Sequence, residues 1–139
     1  MSHIATVSVI IKNTDALKAA AHELGCFFTE AKTFNSYQSG LPCDFKITVP
    51  GVRFEVGVQK QADGTYKLAW DTYGSGGGSL HGADGQKLLT KFGEGMGLLT
   101  QRYGVLVTEA QAKAKGMQVT RHWQDNGSCK LTINAGRTW

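Results

Sequence analysis

The sequence predicts a single α+β domain of two layers, a mostly antiparallel sheet of about five to seven strands with helices on one face. Three observations predict it. Apolar residues alternate in several short segments, glycine-containing turns separate some of these segments, and two longer segments repeat apolar residues at helical spacing. Because 139 residues fit one hydrophobic core, we assign residues 1–139 to one domain.

The N-terminal segment predicts a strand followed by a helix. Residues 4–11, "IATVSVII", alternate as a half-buried strand does. "NTDALKAAAHELG" then carries helix signals at both ends. Asn13 or Thr14 can accept hydrogen bonds from the amides of the first turn, and Gly25 can adopt the left-handed conformation that ends a helix.

The segment from Cys26 to Trp70 predicts strands. Asp63-Gly64 is the hairpin turn between the last two of them, because glycine supplies the positive φ that the turn requires. In the predicted strand 52–58, we expect the side chains of Arg53 and Glu55 to lie on the face away from the core. The predicted strands are 28–34, 45–49, 52–58 and 66–70.

Residues 84–115 predict the second helical region. We expect a break near Gly104, because each glycine in a helix costs about 1 kcal/mol relative to alanine. A second hairpin follows, with its turn at Asn126-Gly127. The segments "QADGTYKL" and "QDNGSCKL" resemble each other, and we attribute the similarity to two tight hairpin turns that need the same kinds of residue. The apolar stripe of the helix consists of Leu88, Phe92, Met96, Leu99, Tyr103, Leu106 and Ala110.

Composition predicts an ordinary globular protein. The hydrophobic content is 41% and the charged content is 19%, and no apolar run approaches the length of a membrane span. The N-terminus lacks the pattern of a signal peptide. Cys26, Cys43 and Cys129 form no C-x-x-C pair, and an odd number of cysteines fits a reducing compartment. We therefore expect a cytoplasmic protein with no membrane partner.

The glycine-rich segment "DTYGSGGGSLHGADG" raises the question of a phosphate site. Neither G-x-x-x-x-G-K-[ST] nor G-x-G-x-x-G is present, so we interpret the segment as a surface connection. A helix begins after it, near Ala83 or Asp84, with Asp84 as its cap. The candidate ligand-binding residues of this loop are Gly76, Gly77, Gly78 and His81.

Other chemistry has weak support in the sequence. The histidines show no metal-ligand spacing with one another or with the cysteines. Cys43 is the one cysteine in a loop-like context, whereas Cys129 alternates with Leu131 and Ile133 and is expected to be a small core residue. We therefore predict no enzyme activity, no cofactor and no metal.

Four basic residues alternate with core positions in the predicted strands, and one sheet could collect them on a single face. Such a face would attract nucleic-acid phosphates. The alternative is a solvated face that discourages aggregation between sheet edges. The residues are Lys46, Arg53, Lys67 and Lys130.

Several motifs together resemble one family. They are "MSH", "DALKAAAHELG", "LLTQRYG", "KAKGMQV" and "DNGSCKLTI", which span nearly the full chain in order. The chain resembles the uncharacterised family of plastid and cyanobacterial conserved hypothetical reading frames, number thirty-five of the plastid series, with relatives in other bacteria and in phages. The resemblance implies a small α/β domain and no catalytic residue. Its matching positions Gln101, Arg102 and Tyr103 are candidate binding residues. Their alternative role is structural, with Tyr103 packed and Arg102 paired with a neighbouring helix or strand.

These observations favour a non-enzymatic accessory or binding protein that acts through contacts with another protein. The candidate surfaces are the glycine-rich loop, the open sheet face and the segment 101–103. The alternative is binding of nucleic acid, a nucleotide or another phosphorylated small ligand by the basic face. A homo-oligomer is compatible with an exposed sheet edge, and an enzyme is the least favoured class.

Overall fold

Nine strands and three helices make up the described part of the chain. The computed structural model describes residues 4–37, 40–72 and 83–134. In chain order the elements are β1 (Ile4–Ile11), α1 (Thr14–Glu23), β2 (Phe27–Glu30), β3 (Thr33–Asn35), β4 (Gly40–Pro42), β5 (Phe45–Thr48), β6 (Val56–Lys60), β7 (Tyr66–Asp71), α2 (Ala83–Phe92), a 3-10 turn (Glu94–Met96), α3 (Gly97–Ala114), β8 (Gln118–Trp123) and β9 (Cys129–Asn134).

The main sheet has five strands in the order β1-β7-β6-β5-β2, and every neighbouring pair is antiparallel. Strands β1 and β2 therefore lie at opposite edges, although only α1 separates them in sequence. Two further two-stranded sheets, β3-β4 and β8-β9, complete the described architecture. The predicted α+β class is confirmed.

Local signals set the ends of α1 as the sequence predicts. The Asn13 side chain accepts a hydrogen bond from the Ala16 amide at 3.1 Å. Gly25, immediately after the helix, has a φ of 78°. The helix buries Leu17, Ala20 and Ala21 against the sheet. The core lies between one face of the main sheet and the helices. Its largest members are Ile11, Leu17, Ile47, Phe54, Leu68, Trp70, Leu88, Phe92, Met96, Leu99 and Tyr103.

The β3-β4 hairpin covers part of the opposite face of the sheet. Phe34 is fully buried, and its ring occupies the space that a side chain at Gly57 would need. The predicted strand 28–34 is wrong, because the chain leaves the sheet after β2 and forms β3 in this hairpin. The predicted face away from the core is therefore not open around Gly57.

The predicted strand 52–58 is also too long. Only Val56 onward pairs in the sheet, and Arg53 lies in the preceding loop. Glu55 is buried, not exposed, and its carboxylate accepts hydrogen bonds from the Asn35 amide at 2.9 Å and the Thr48 hydroxyl at 2.9 Å. A buried carboxylate needs such partners, because desolvation otherwise disfavours its charged form.

The helical region breaks earlier than predicted. Helix α2 ends at Phe92, and α3 continues without interruption through Gly104. Gly93 and Gly95 have φ values of 78° and 62°, and Met96 shares the left-handed conformation with a φ of 62°. Ala110 also departs from the predicted stripe, because it is exposed.

The two predicted hairpin turns are confirmed, and they share one geometry. Gly64 and Gly127 both have a φ of 86°. In the first turn the Gly64 amide donates to the Gln61 carbonyl at 3.0 Å, and in the second the Gly127 amide donates to the Gln124 carbonyl at 3.0 Å. The shared turn accounts for the similarity of the two sequence segments.

Candidate functional site

Arg102, one of the three candidate residues in the segment 101–103, lies where α1, α3 and β8 meet. Its Nη1 donates to Glu23 Oε1, at the end of α1, at 2.9 Å. The side chain is only 21% exposed, so the guanidinium is held largely within the protein. This ion pair with a neighbouring helix corresponds to the alternative, structural role that the sequence allows for Arg102.

Arg121, on β8, joins two acidic residues in the same place. Its Nη1 and Nη2 donate to the two Glu23 carboxylate oxygens at 2.9 and 3.1 Å. Its Nε and Nη2 donate to the two Glu109 oxygens at 2.6 Å each. Because both pairs are bidentate, the planar guanidinium fixes the relative positions of α1, α3 and β8.

Trp123, at the end of β8, completes the cluster. The guanidinium carbon of Arg102 lies 4.5 Å from the centroid of the Trp123 ring, within the range of a cation–π interaction. The residue nevertheless remains 45% exposed. We call Glu23, Arg102, Glu109, Arg121 and Trp123 the Trp123 patch.

Charge is balanced inside the Trp123 patch, with two carboxylates against two guanidinium groups. The hydrogen bonds from Arg121 lower the pKa of Glu23, with a further contribution from Arg102, while partial burial opposes them. The hydrogen bonds to Glu109 and Glu23 raise the pKa of Arg121. Within the described residues, the buried Nε of Arg102 has no hydrogen-bond partner. The directions of these two pKa shifts favour the charged forms of Glu23 and Arg121 at neutral pH.

The other two candidate residues of this segment do not belong to the patch. Tyr103 is buried in the core, and its hydroxyl accepts hydrogen bonds from the amides of Lys12 and Asn13 at 3.0 and 3.2 Å. Gln101 is half-buried on α3. Because successive helical residues point in different directions, the segment 101–103 does not form one continuous surface.

The four basic candidates do not share one face, so that prediction is wrong. Lys46 and Lys67 lie on the main sheet, but Lys46 pairs with buried Glu55 at 3.0 Å. Arg53 lies in a loop, where its Nε donates to Asp84 at 2.9 Å. Lys130 lies on β9, in a separate sheet. Two of the four basic side chains, those of Lys46 and Arg53, are thus already paired with an acidic group.

The glycine-rich loop candidates Gly76, Gly77, Gly78 and His81 lie outside the described residues. The helix after the loop begins at Ala83, as predicted. Asp84 is buried, and its carboxylate accepts hydrogen bonds from the amide and the Nε of Arg53. Asp84 thereby ties the start of α2 to the loop that carries Arg53. Because α2 begins at Ala83, Asp84 lies inside the first turn and is not the N-cap that the sequence predicts.

Burial opposes ionisation of two of the three thiols, those of Cys26 and Cys43. Burial, with Asp44 and Glu55 nearby, raises the pKa of Cys43 to about 11, and burial also raises the pKa of Cys26. A thiol must lose its proton to attack, so these surroundings do not favour Cys43 as a nucleophile. We expected Cys129 to be a core residue. It is instead half-buried on β9 and does not belong to the main core. Across 4–37, 40–72 and 83–134, no three His, Cys, Asp or Glu side chains cluster in a way that would hold a metal.

Sequence reasoning identified Arg102 but missed most of its neighbours. Glu23, Glu109 and Arg121 are far apart in the chain, and only the packing of α1, α3 and β8 brings them together. One signal was available. In "VTRHW", Val119, Arg121 and Trp123 occupy alternate positions, which on a strand places them on one side.

No helix within the described residues has the length and apolar character needed to cross a membrane. A scan against family models, a search of curated proteins and a search of solved structures each gave no match to this chain.

Proposed function

We propose that this protein is a non-enzymatic binding protein that contacts another protein through the Trp123 patch. The observation that carries the proposal is the exposed tryptophan held against a fixed arginine. Tryptophan and arginine are the residue types that most often dominate the binding energy of protein interfaces. In this patch they are adjacent, and the Trp123 ring is still 45% exposed.

The ion pairs of the patch support this role because they restrict side-chain motion before any partner arrives. Glu23 holds Arg102, and Arg121 holds both Glu23 and Glu109. Immobilising a flexible side chain costs about 0.5–1.5 kcal/mol when a complex forms. A patch that is already ordered avoids much of this cost. Its balanced charge favours a partner whose contact surface is apolar or aromatic at the centre.

The basic-face alternative has less support. Lys46 and Arg53 already pair with Glu55 and Asp84, and Lys130 lies on a different sheet from Lys46 and Lys67. Nucleic-acid binding through such a face would require free cations on one surface. We therefore propose a protein partner and treat nucleic acid as an outcome of the test.

Quantitative affinity purification from the native host tests the proposal. Three baits are compared: the wild type, Trp123→Ala, and His122→Ala as a matched control. His122 is also exposed on β8, but it alternates with Trp123 and lies on the other side of the hairpin. We expect a partner that the control retains and Trp123→Ala loses by about thirtyfold, which corresponds to roughly 2 kcal/mol at a hot spot.

Two results would argue against the proposal. Equal recovery of every protein by all three folded baits would remove the Trp123 patch from consideration. Purification of nucleic acid, with an affinity for single-stranded RNA that falls steeply between low and high salt, would favour the alternative. Circular dichroism and thermal unfolding of each bait would establish that the variants are folded.

A further inference from the structure

A polar cavity lies where the end of β3 meets the loop before β6. Its volume is about 340 Å³, which is at the lower end of the range for sites that bind small molecules. None of the described residues that line it is acidic. The lining residues are Asn35, Ser36, Tyr37, Arg53 and Phe54.

Three buried carboxylates hold the backbone around this cavity. Glu55, Asp71 and Asp84 are the buried acidic residues of the described chain, with at most 7% of each exposed. Each accepts a hydrogen bond from the backbone amide of a different lining residue, namely Asn35 at 2.9 Å, Tyr37 at 2.8 Å and Arg53 at 3.2 Å. A buried carboxylate is costly unless such donors stabilise it. These bonds therefore restrain the cavity walls before any ligand binds.

Arg53 is the charged residue among those that line the cavity. Its Nε donates to Asp84 at 2.9 Å, and the same carboxylate accepts a hydrogen bond from its amide. No described residue accepts a hydrogen bond from Nη1 or Nη2 of Arg53, and the side chain is 74% exposed. The protein thus holds the guanidinium through Nε, while the edge formed by Nη1 and Nη2 keeps its donors for a ligand.

This pair of donors matches an oxyanion. The two parallel N–H groups of a guanidinium edge bind a carboxylate or a phosphate through two hydrogen bonds. Asn35 and Ser36 add amide and hydroxyl groups to the same walls, so an oxyanion meets polar groups and no acidic side chain on the described lining. Asp84 already neutralises part of the charge of Arg53, and a single oxyanion group therefore fits better than a polyphosphate.

We propose that this cavity binds a small ligand with one oxyanion group, a carboxylate or a phosphate monoester, which accepts hydrogen bonds from Nη1 and Nη2 of Arg53. The Tyr37 ring lines the same cavity and is 42% exposed, so it can pack against an apolar or aromatic part of the ligand. Because Arg53 and the cavity backbone are already held in place, binding costs little additional ordering of the protein.

This site goes beyond the proposed function and is separate from the Trp123 patch. The patch is built on α1, α3 and β8, whereas the cavity is built on β3, the loop before β6 and, through Asp84, the start of α2. Trp123→Ala should therefore leave binding of an oxyanion unchanged, and substitution of Arg53 should leave recovery of a protein partner unchanged. Failure of either proposal leaves the other unaffected.

Titrations followed by the amide chemical shifts of isotope-labelled protein, at constant ionic strength, test the site. The probes are acetate, benzoate, inorganic phosphate and phenyl phosphate, which compare the two oxyanion types with and without a ring. Arg53→Gln removes the charge, and Arg53→Lys keeps the charge but loses the paired N–H groups. Lys130→Gln is the matched control, since Lys130 is exposed on β9 and the substitution removes the same charge.

We expect saturable shifts at the amides of the lining residues and tighter binding of the two probes that carry a ring. The affinity should fall by at least about tenfold in both Arg53 variants and stay unchanged in Lys130→Gln. The tighter binder of benzoate and phenyl phosphate identifies the oxyanion as a carboxylate or a phosphate.

Three results would overturn the proposal. One is the absence of saturable shifts with every probe up to tens of millimolar. Another is a set of shifts that chloride reproduces at the same amides and to the same extent. The third is a folded Arg53 variant that binds as tightly as the wild type. The amide spectra show whether each variant is folded, and if Arg53→Gln is not, Arg53→Lys decides the question.

Discussion

The ring of Phe34 occupies the position that a side chain at Gly57 would fill. Phe34 belongs to β3, and Gly57 belongs to β6 in the middle of the main sheet. This contact lets the β3-β4 hairpin lie directly on the sheet. It also explains why a glycine is tolerated in the interior of a strand, where it otherwise lowers stability.

Gly57→Ala should destabilise the protein by about 1–3 kcal/mol, because the added methyl group overlaps the ring of a fully buried phenylalanine. Urea denaturation measures the effect. In the background of Phe34→Leu the same substitution should cost less, since the smaller side chain leaves room. Gly104→Ala is the control and should stabilise the protein, because its Cβ meets no atom. Equal effects at Gly57 in both backgrounds would contradict the packing.

Tyr103→Phe should lower the free energy of unfolding by about 1–3 kcal/mol, because the amides of Lys12 and Asn13 lose their acceptor in a partly buried position. Chemical denaturation gives the value. Tyr66→Phe is the matched control, since the hydroxyl of Tyr66 makes no hydrogen bond with any described residue. A loss of the same size in the control would show that the hydroxyl of Tyr103 has no special role.

Glu23→Gln should destabilise the protein by about 0.5–1 kcal/mol at neutral pH, because a partly exposed ion-pair network contributes modestly. The pKa of Glu23 is lowered from 4.5 by Arg121 and Arg102. Its ionised form therefore stabilises the fold fully above about pH 5, and the contribution is lost as the pH falls through the lowered pKa.

Thermal unfolding of the wild type and Glu23→Gln between neutral pH and about pH 3 tests this dependence. The difference in melting temperature should be constant down to about pH 5 and shrink below that. Glu30→Gln, at an exposed position of β2, should show no comparable trend. A difference that grows in acid would have the wrong sign and would contradict the network.

Glu55→Ala should cost about 1–3 kcal/mol, because it leaves the Asn35 amide without its acceptor and removes the partner of Lys46. Glu55→Gln should cost less, since its amide oxygen can still accept a hydrogen bond from Asn35. Urea denaturation of both variants separates the hydrogen bond from the ion pair. An equal loss in the two variants would assign the effect to the ion pair alone.

Local patterns determined much of the fold. The cap at Asn13, the φ of Gly25 and the turns at Gly64 and Gly127 are decided within a few residues, so the sequence alone predicts them. Alternation likewise identified β1, β5, β7 and the strands of the second hairpin. The antiparallel sheet with helices on one face follows from these elements, because each apolar face must be buried.

Tertiary structure decided what lies on each face and which charges meet. Sequence reasoning placed Glu55 in solvent, but the β3-β4 hairpin covers it, and that hairpin depends on contacts between residues distant in sequence. Sequence reasoning placed the helix break near Gly104. In the structure the chain turns at Gly93–Met96, between α2 and α3, and this turn lets the two helices pack against each other. In the Trp123 patch, Arg121 binds Glu23, which lies 98 positions earlier in the chain. Such contacts depend on the three-dimensional path of the whole chain, which local patterns do not specify.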